Sequence, residues 1–253
     1  MERYTRQLLV KGIGTAGQTR LQQSRVLLVG CGGLGTNIAN ILVRAGVGFI
    51  RIIDKDIVEI SNLQRQSLYN EEDVRESLPK AVAAYRTLKS VNSGIEVDVV
   101  AEELNAGNID KYIDNIDIVM DGTDNFETRF LLNQICVKNK IPWIHGGVVA
   151  TSGVVKSFLP GEGPCLECIY PQLPDSKRLP TTKTAGILGT LTSMIGAVQS
   201  NEALKYLTGN QNRIMKGMLY IDLWNNTYEE IKITKRTDCE CCGKGNYSRL
   251  QNP

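Results

Sequence analysis

The spacing of apolar and polar positions changes period along the chain. Residues 5–24 carry Leu8, Leu9, Ile13 and Leu21 at helical spacing, and the stretch from Gly12 to Gly17 breaks them into one or two short helices. From Arg25 the pattern becomes a series of short apolar runs. Arg25-Val26-Leu27-Leu28-Val29 is apolar after its first residue and too short for a helix, as expected of a strand covered on both faces. Phe49-Ile50-Arg51-Ile52-Ile53-Asp54 is a second such run and ends in an acid. The spacing predicts helices over 37–45, 79–91 and 125–138, and strands over 95–100, 117–120 and 142–148. Pro79 opens its helix in the first turn, where a missing N–H is harmless. A strand–helix alternation sustained over about 120 residues predicts a parallel sheet with helices on both faces.

Past residue 150 the alternation stops. Strands over 153–159, 218–223 and 227–233 lack crossover helices and are expected to be antiparallel, with a helix over 190–207 between them. Prolines 160, 164, 171, 174 and 180 crowd one stretch, predicting a long loop of the kind that usually serves a function. The expected fold is α/β: a Rossmann-like parallel sheet extended by antiparallel strands. A single domain over 1–253 is expected, with a nucleotide-binding part over about 1–150 and a second part over about 151–245.

Charge narrows the partners. The 253 residues hold 29 Lys and Arg against 27 Asp and Glu, a net charge of +2. That balance excludes electrostatics as the main route to nucleic acid or an anionic membrane, so neither is an expected partner. No apolar run approaches the roughly 18 residues of a membrane span. Met1-Glu2-Arg3-Tyr4-Thr5-Arg6-Gln7 lacks a signal-peptide core, and the expected location is the cytoplasm. In that reducing compartment seven cysteines predict metal binding rather than a disulfide framework. The single histidine, His145, disfavours a His-rich catalytic metal site.

Gly30-Cys31-Gly32-Gly33-Leu34-Gly35 fits G-x-G-x-x-G between a strand and a helix. Gly30 is expected to make the tight turn, Gly32 to let backbone N–H groups approach phosphate, and Gly35 to pack helix on strand. The helix N-terminus then favours the anion. Asp54, about 20 residues on, is placed for ribose hydroxyls. NAD, FAD and ATP all satisfy this loop. The segment Asp54-Lys55-Asp56-Ile57-Val58-Glu59-Ile60-Ser61-Asn62-Leu63-Gln64-Arg65-Gln66 is richer in polar groups than a nicotinamide site needs. With Lys80, Asp121, Asp124, Asn125 and Arg129 farther on, its cations suit a triphosphate and its acids suit Mg²⁺.

These motifs resemble the ThiF/MoeB family, bacterial relatives of ubiquitin-activating enzymes. Ser61-Asn62-Leu63-Gln64-Arg65-Gln66 is similar to the family signature, Arg3-Tyr4-Thr5-Arg6-Gln7 to its opening motif, and Asp121-Gly122-Thr123-Asp124-Asn125 with Arg129 to its Mg-ATP motif. Cys165-Leu166-Glu167-Cys168 and Cys239-Glu240-Cys241-Cys242-Gly243 resemble its zinc pairs, so the match runs from residue 3 to 243. The resemblance implies an adenylyltransferase that activates the C-terminal Gly-Gly carboxylate of a ubiquitin-like sulfur carrier of the ThiS/MoaD type. The products would be an acyl-adenylate and pyrophosphate, and the pathway thiamine or molybdopterin biosynthesis. The second part of the chain would then bind the carrier, whose tail would pass under the loop over 160–184. Such a reaction needs no general base, because a carboxylate is ionised at neutral pH. It needs cations and Mg²⁺ that bring two anions together.

Residue by residue, the resemblance gives Gly33 a backbone contact to the nucleotide and Asp54 the ribose. It gives Asn62, Arg65 and Lys80 the phosphates, and Asp124 the Mg²⁺, with Asn125 beside it. Asp56, Ser61, Gln64 and Arg129 complete the expected nucleotide set. Arg6 is implied to reach the site of a neighbouring subunit, hence a homodimer with composite sites. The same chemistry on a peptide or another sulfur carrier is the alternative. An NAD-dependent oxidoreductase is a weaker one, since it leaves Asn62, Arg65 and Asp124 without a role.

Two C-x-x-C pairs, Cys165 with Cys168 and Cys239 with Cys242, predict a closed tetrahedral zinc site of structural purpose. Cys241 competes with Cys242 as a ligand, and the spacing favours Cys242. Cys31 and Cys136 are expected to pack in the interior. Thr182 stands near where some family members carry a cysteine for covalent transfer, so such a step has no support here. No rhodanese-like domain is expected after Cys242, and sulfur would come from elsewhere. His145 is expected to be a satisfied core residue, with lining the site as the alternative. Trp143, Trp224 and Tyr220 are expected in the core or on a sheet face.

Overall fold

In the computed structural model, which describes residues 2–251, short strands stack side by side, and the central ones are buried on both faces. In chain order the elements are α1 (Thr5–Leu8), α2 (Gly14–Gln23), β1 (Arg25–Val29), α3 (Gly33–Ala45), β2 (Phe49–Ile53), α4 (Glu71–Arg75), α5 (Lys80–Val91) and β3 (Glu96–Val100). Then come α6 (Ile109–Ile113), β4 (Ile118–Asp121), α7 (Phe126–Asn139), β5 (Trp143–Val149), β6 (Ser152–Phe158), α8 (Leu166–Ile169), α9 (Thr182–Ala185), α10 (Gly189–Leu207), β7 (Met218–Asp222) and β8 (Thr227–Ile231). Successive residues of a strand point to opposite faces. Val26, Leu28, Ile50, Ile52 and Met120 therefore join one buried cluster with Ile38 and Leu42 of α3, Leu88 of α5 and Ile195 of α10. Leu27, Val29, Ile53, Val119 and Trp143 join another with Ile109 of α6, Phe130 and Ile135 of α7 and Leu166 of α8.

The strands form one eight-stranded sheet of order β3-β2-β1-β4-β5-β6-β7-β8. β3 through β5 run parallel. From β5 onward each pairing is antiparallel, as the loss of the strand–helix alternation predicts. The chain leaves β1 toward β2 and β3 on one side, then returns to place β4 on the other. Connections therefore part at the C-terminal ends of β1 and β4, opening the crevice where α/β sheets bind ligands.

The differences from the sequence expectation are local. α3 begins at Gly33 rather than near residue 37, because the glycine loop itself forms the first helical turn. The break near the start falls over residues 9–13. Gly17 is inside α2, where a Cβ would come within 3.2 Å of the Thr208 side chain. The proline-rich stretch holds two short helices, α8 and α9. α4 and α6, five residues each, have no period to read. Trp143 is fully buried, whereas Trp224 is 74% exposed at the β7–β8 turn, a correction to its expected place. That turn is fixed by Asp222, whose Oδ1 accepts the N–H of Trp224. Among the described residues no helix is long and apolar enough to cross a membrane.

Candidate nucleotide site and thiolate cluster

The glycine loop joins β1 to α3 at the crevice. Gly30 has φ +83°, and a Cβ there would lie 2.7 Å from the Gly122 carbonyl group. Gly35 passes so close to the loop that a Cβ would lie 2.0 Å from Gly30 O. Both glycines thus serve contacts within the protein. At Gly32 the nearest atom to such a Cβ, Gln66 Nε2, is 3.8 Å away. Gly32 is also the N-cap of α3, without a side-chain cap. Free N–H groups and the positive end of the helix dipole therefore face an open approach, the arrangement that holds phosphate.

Ionisable groups gather around this end. Asp54 follows β2; its Oδ2 accepts the N–H of Cys31 at 2.6 Å and its Oδ1 that of Asp56 at 2.8 Å. Burial raises its pKa above the ordinary carboxylate value, opposed by the Cys31 N–H and by the charge of Lys80. Lys80, at the start of α5, is buried, and its Nζ lies 2.8 Å from Asp56 Oδ2. An ammonium has three donors, so this bond leaves others to give. Arg65 spends Nη1 on Ser61 O at 2.9 Å, and its Cδ lies 3.6 Å from where a Gly33 Cβ would be. Gln64 abuts Gly189 at the start of α10. Asn62 is buried in the turn Ile60–Asn62, where its Oδ1 accepts the Glu59 N–H at 3.1 Å. Gln66 Oε1 is buried without a partner among the described residues.

The loop after β4 closes the other side. Asp124 is exposed; the pKa of Lys55 is raised chiefly by its hydrogen bond to Glu103, with the charge of Asp124 a smaller contribution. Asn125 caps α7 by accepting the Thr128 N–H at 2.8 Å. Arg129 is buried and turned inward: Nη2 donates to Thr123 O at 2.7 Å and Gly146 O at 3.2 Å, and Nε lies 3.3 Å from Asp121 Oδ2. Asp121 also meets His145 Nδ1 at 2.7 Å and accepts from Thr123 N and Oγ1. Burial alone would raise Asp121, but Arg129 and then His145 hold it below the ordinary value. Burial also lowers His145, with Arg129 adding and Asp121 opposing. The sequence shows Asp121 and His145 but not their pairing, since 24 residues separate partners on adjacent strands.

Cys31 is fully buried in the glycine loop, where burial pushes its thiol up to about 12. Cys136 is equally buried, on α7. Arg6 is exposed on α1, away from the glycine loop of its own chain. Gln7 Nε2 of the same helix donates to Ala45 O at the far end of α3, and α3 of 13 residues is about 20 Å long.

The sulfur atoms of Cys165, Cys168, Cys239 and Cys242 all lie within 4.8 Å of one another. Cys165 is 3.6 Å from Cys239, and Cys168 is 3.5 Å from Cys242. A tetrahedral zinc–thiolate site implies sulfur separations of about 3.8 Å, so the four thiols fit that metal. Cys241 Sγ instead receives Asn133 Nδ2 at 3.4 Å. None of the seven cysteines is disulfide-bonded.

Comparisons with known proteins follow the same outline. The model of the ThiF family matches residues 4–241. The sulfur carrier protein ThiS adenylyltransferase of Bacillus subtilis strain 168 is 40% identical over 250 residues, covering 98% of this chain and 73% of the relative. The SAMP-activating enzyme E1 of Haloferax volcanii is 34% identical over 252 residues, covering 100% and 92% respectively. A crystal structure of E. coli MccB with ATP has a TM-score of 0.83 at 26% identity, covering 95% of this chain and 74% of that one.

Proposed function

Because the chain belongs to the ThiF family, we propose that it is an ATP-dependent nucleotidyltransferase acting on a ubiquitin-like sulfur carrier protein. The carrier's C-terminal Gly-Gly carboxylate attacks the α-phosphorus of ATP; an oxygen–phosphorus bond forms, the bond to the β-phosphate bridge breaks, and pyrophosphate leaves. The acyl-adenylate then serves sulfur transfer in thiamine or molybdenum-cofactor biosynthesis. Relatives at 34–40% identity bear carrier-activating names, which favours a carrier over a short peptide.

The observation that carries the reading is the open, uncapped start of α3 with Lys80, Arg65 and Asp54 beside it and the exposed Asp124 on the loop after β4, which packs against Gly30. Gly32 and Gly33 offer backbone N–H groups to phosphate. Asp54 keeps lone pairs for a ribose hydroxyl beyond its two backbone bonds. Lys80 and Arg65 neutralise the phosphates, Asn62 shapes the loop that presents Arg65, and Ser61 and Gln64 line it. Asp56 steers Lys80. Asp124 is the Mg²⁺ ligand, since that ion takes one or two carboxylates along with phosphate oxygens. Asn125 and Arg129 hold its loop from either side. Arg6 serves the neighbouring subunit of a homodimer. The four clustered cysteines hold zinc in a closed site, which leaves no position to activate water and makes the metal structural.

At Thr182 the chain forms a capped turn: Thr181 accepts the Thr184 N–H, and no thiol is present. The chain's own chemistry ends at the adenylate. The test is ATP–pyrophosphate exchange with a carrier ending in Gly-Gly. Asp124→Ala should reduce exchange by at least a hundredfold, about 3 kcal/mol of lost transition-state stabilisation, without changing the melting temperature. Wild-type exchange in that variant would remove the magnesium assignment.

A further inference from the structure

His145 has no part in the chemistry above, yet its surroundings fix it chemically. Asp121 is held by Arg129, Thr123 and His145 itself. An ionised carboxylate can only accept, so the imidazole proton sits on Nδ1 and Nε2 keeps a free lone pair. Among the described residues no donor reaches Nε2. A poorly solvated acceptor without a donor is unfavourable unless a ligand supplies one.

The backbone around it provides an approach. Gly146 and Gly147 follow on β5, and the two glycines differ. A Cβ on Gly146 would strike the Gln199 side chain at 2.3 Å, so that glycine serves internal packing. Residue 147 shares the face of residue 145, and a Cβ there would lie 3.7 Å from His145 Nε2. Gly147 is half-buried and puts no side chain over Nε2, so the narrow way to the 3%-exposed His145 runs over Gly147 beside Val154 Cγ2, 3.2 Å from the same Cβ position. β5 lies beside β4, so a chain laid along Gly147 runs toward the Asp124 loop. The ligand must be a donor: a carboxylate offers only acceptors, and the nearby Arg129 opposes a cation. A peptide N–H meets both conditions.

We propose that His145 Nε2 accepts a backbone N–H from one of the terminal glycines of the carrier tail, a binding contact that sets the tail in register for adenylation. This rests on the carrier-activating function above. The chain contains one histidine, so the imidazole nitrogens can be followed by ¹⁵N NMR in the intact protein without assignment. The Nε2 resonance should be that of an unprotonated nitrogen and should move to lower frequency when carrier is added. A carrier whose last two residues are N-methylglycine, lacking the N–H, should leave it in place.

In exchange assays His145→Phe should raise the carrier KM by about three- to tenfold, the worth of one hydrogen bond, with the ATP KM unchanged. His145→Gln, which keeps an acceptor, should recover most of that loss. Exchange that proceeds while the Nε2 resonance stays unmoved by the Gly-Gly carrier overturns the contact. Absence of exchange with every carrier overturns the function instead. If His145→Phe does not fold, the NMR comparison of the two carriers decides alone.

Discussion

Single atoms decide the glycine loop. Gly35→Ala would press a methyl against Gly30 O at 2.0 Å, and a backbone atom cannot swing aside. It should destabilise by about 3 kcal/mol, seen as a lower melting temperature. Gly32→Ala meets nothing closer than 3.8 Å and should melt nearer to wild type, but lose ATP affinity by calorimetry. The buried Asp121–His145 pair makes a second residue-scale prediction. His145 titrates below its ordinary 6.5 when folded, so the unfolded chain takes up a proton first as pH falls. Stability should drop as pH falls below 6.5 and stop dropping once the folded imidazole itself is protonated. Asp121, held below 3.8, keeps its contribution until pH falls through its lowered folded value. Melting curves against pH should show a two-part acid loss, and His145→Gln should flatten the upper part alone.

At the scale of elements, legibility followed sequence distance. The glycine loop and each cysteine pair were readable because each reports on itself within a few residues, and Asp54 because it ends the next apolar run, 23 residues from Cys31. The central strands of the parallel half were readable because β1 and β4 are apolar on both faces, and β3 because its valines alternate with acids. The inward turn of Arg129 was not, since its partners on β4, the loop after it and β5 lie at most 17 residues away in sequence but outside its own helix. The same holds for the polar seam between α7 and α8, where Asn133 and Gln134 donate to Glu167 and Asn133 Oδ1 accepts the Leu166 N–H. This seam sits under the thiolates and includes Cys241. Two substitutions should therefore separate. Cys239→Ser should lower both zinc content and melting temperature. Cys241→Ser should keep about one zinc per chain by mass spectrometry of the metal while costing about 1 kcal/mol of stability through the seam. Equal metal loss in both variants would put Cys241 among the ligands.

For the whole molecule, α3 acts as a spacer: the proposed nucleotide end lies at Gly32, and α1 with Arg6 docks at Ala45. The proposed homodimer with composite sites predicts complementation. Arg6→Ala and Asp124→Ala should each be inactive in exchange. Mixed dimers should regain about a quarter of wild-type activity, because half the dimers are hybrids with one of two sites intact. No recovery in the mixture, with subunit mixing verified by mass, would place Arg6 outside the neighbour's site. The cysteine pairs have a further effect on the molecule. They are 74 residues apart, and the span between them contains α9, α10, β7 and β8. A metal that grips all four sulfurs ties this span into a ring. Wherever the ion stays on the denatured polypeptide, the ring denies it on the order of 4 kcal/mol of chain entropy. Chelation should then act twice, loosening the native knuckle and setting the unfolded ring free, so refolding with chelator present should be slower than the lost contacts alone require.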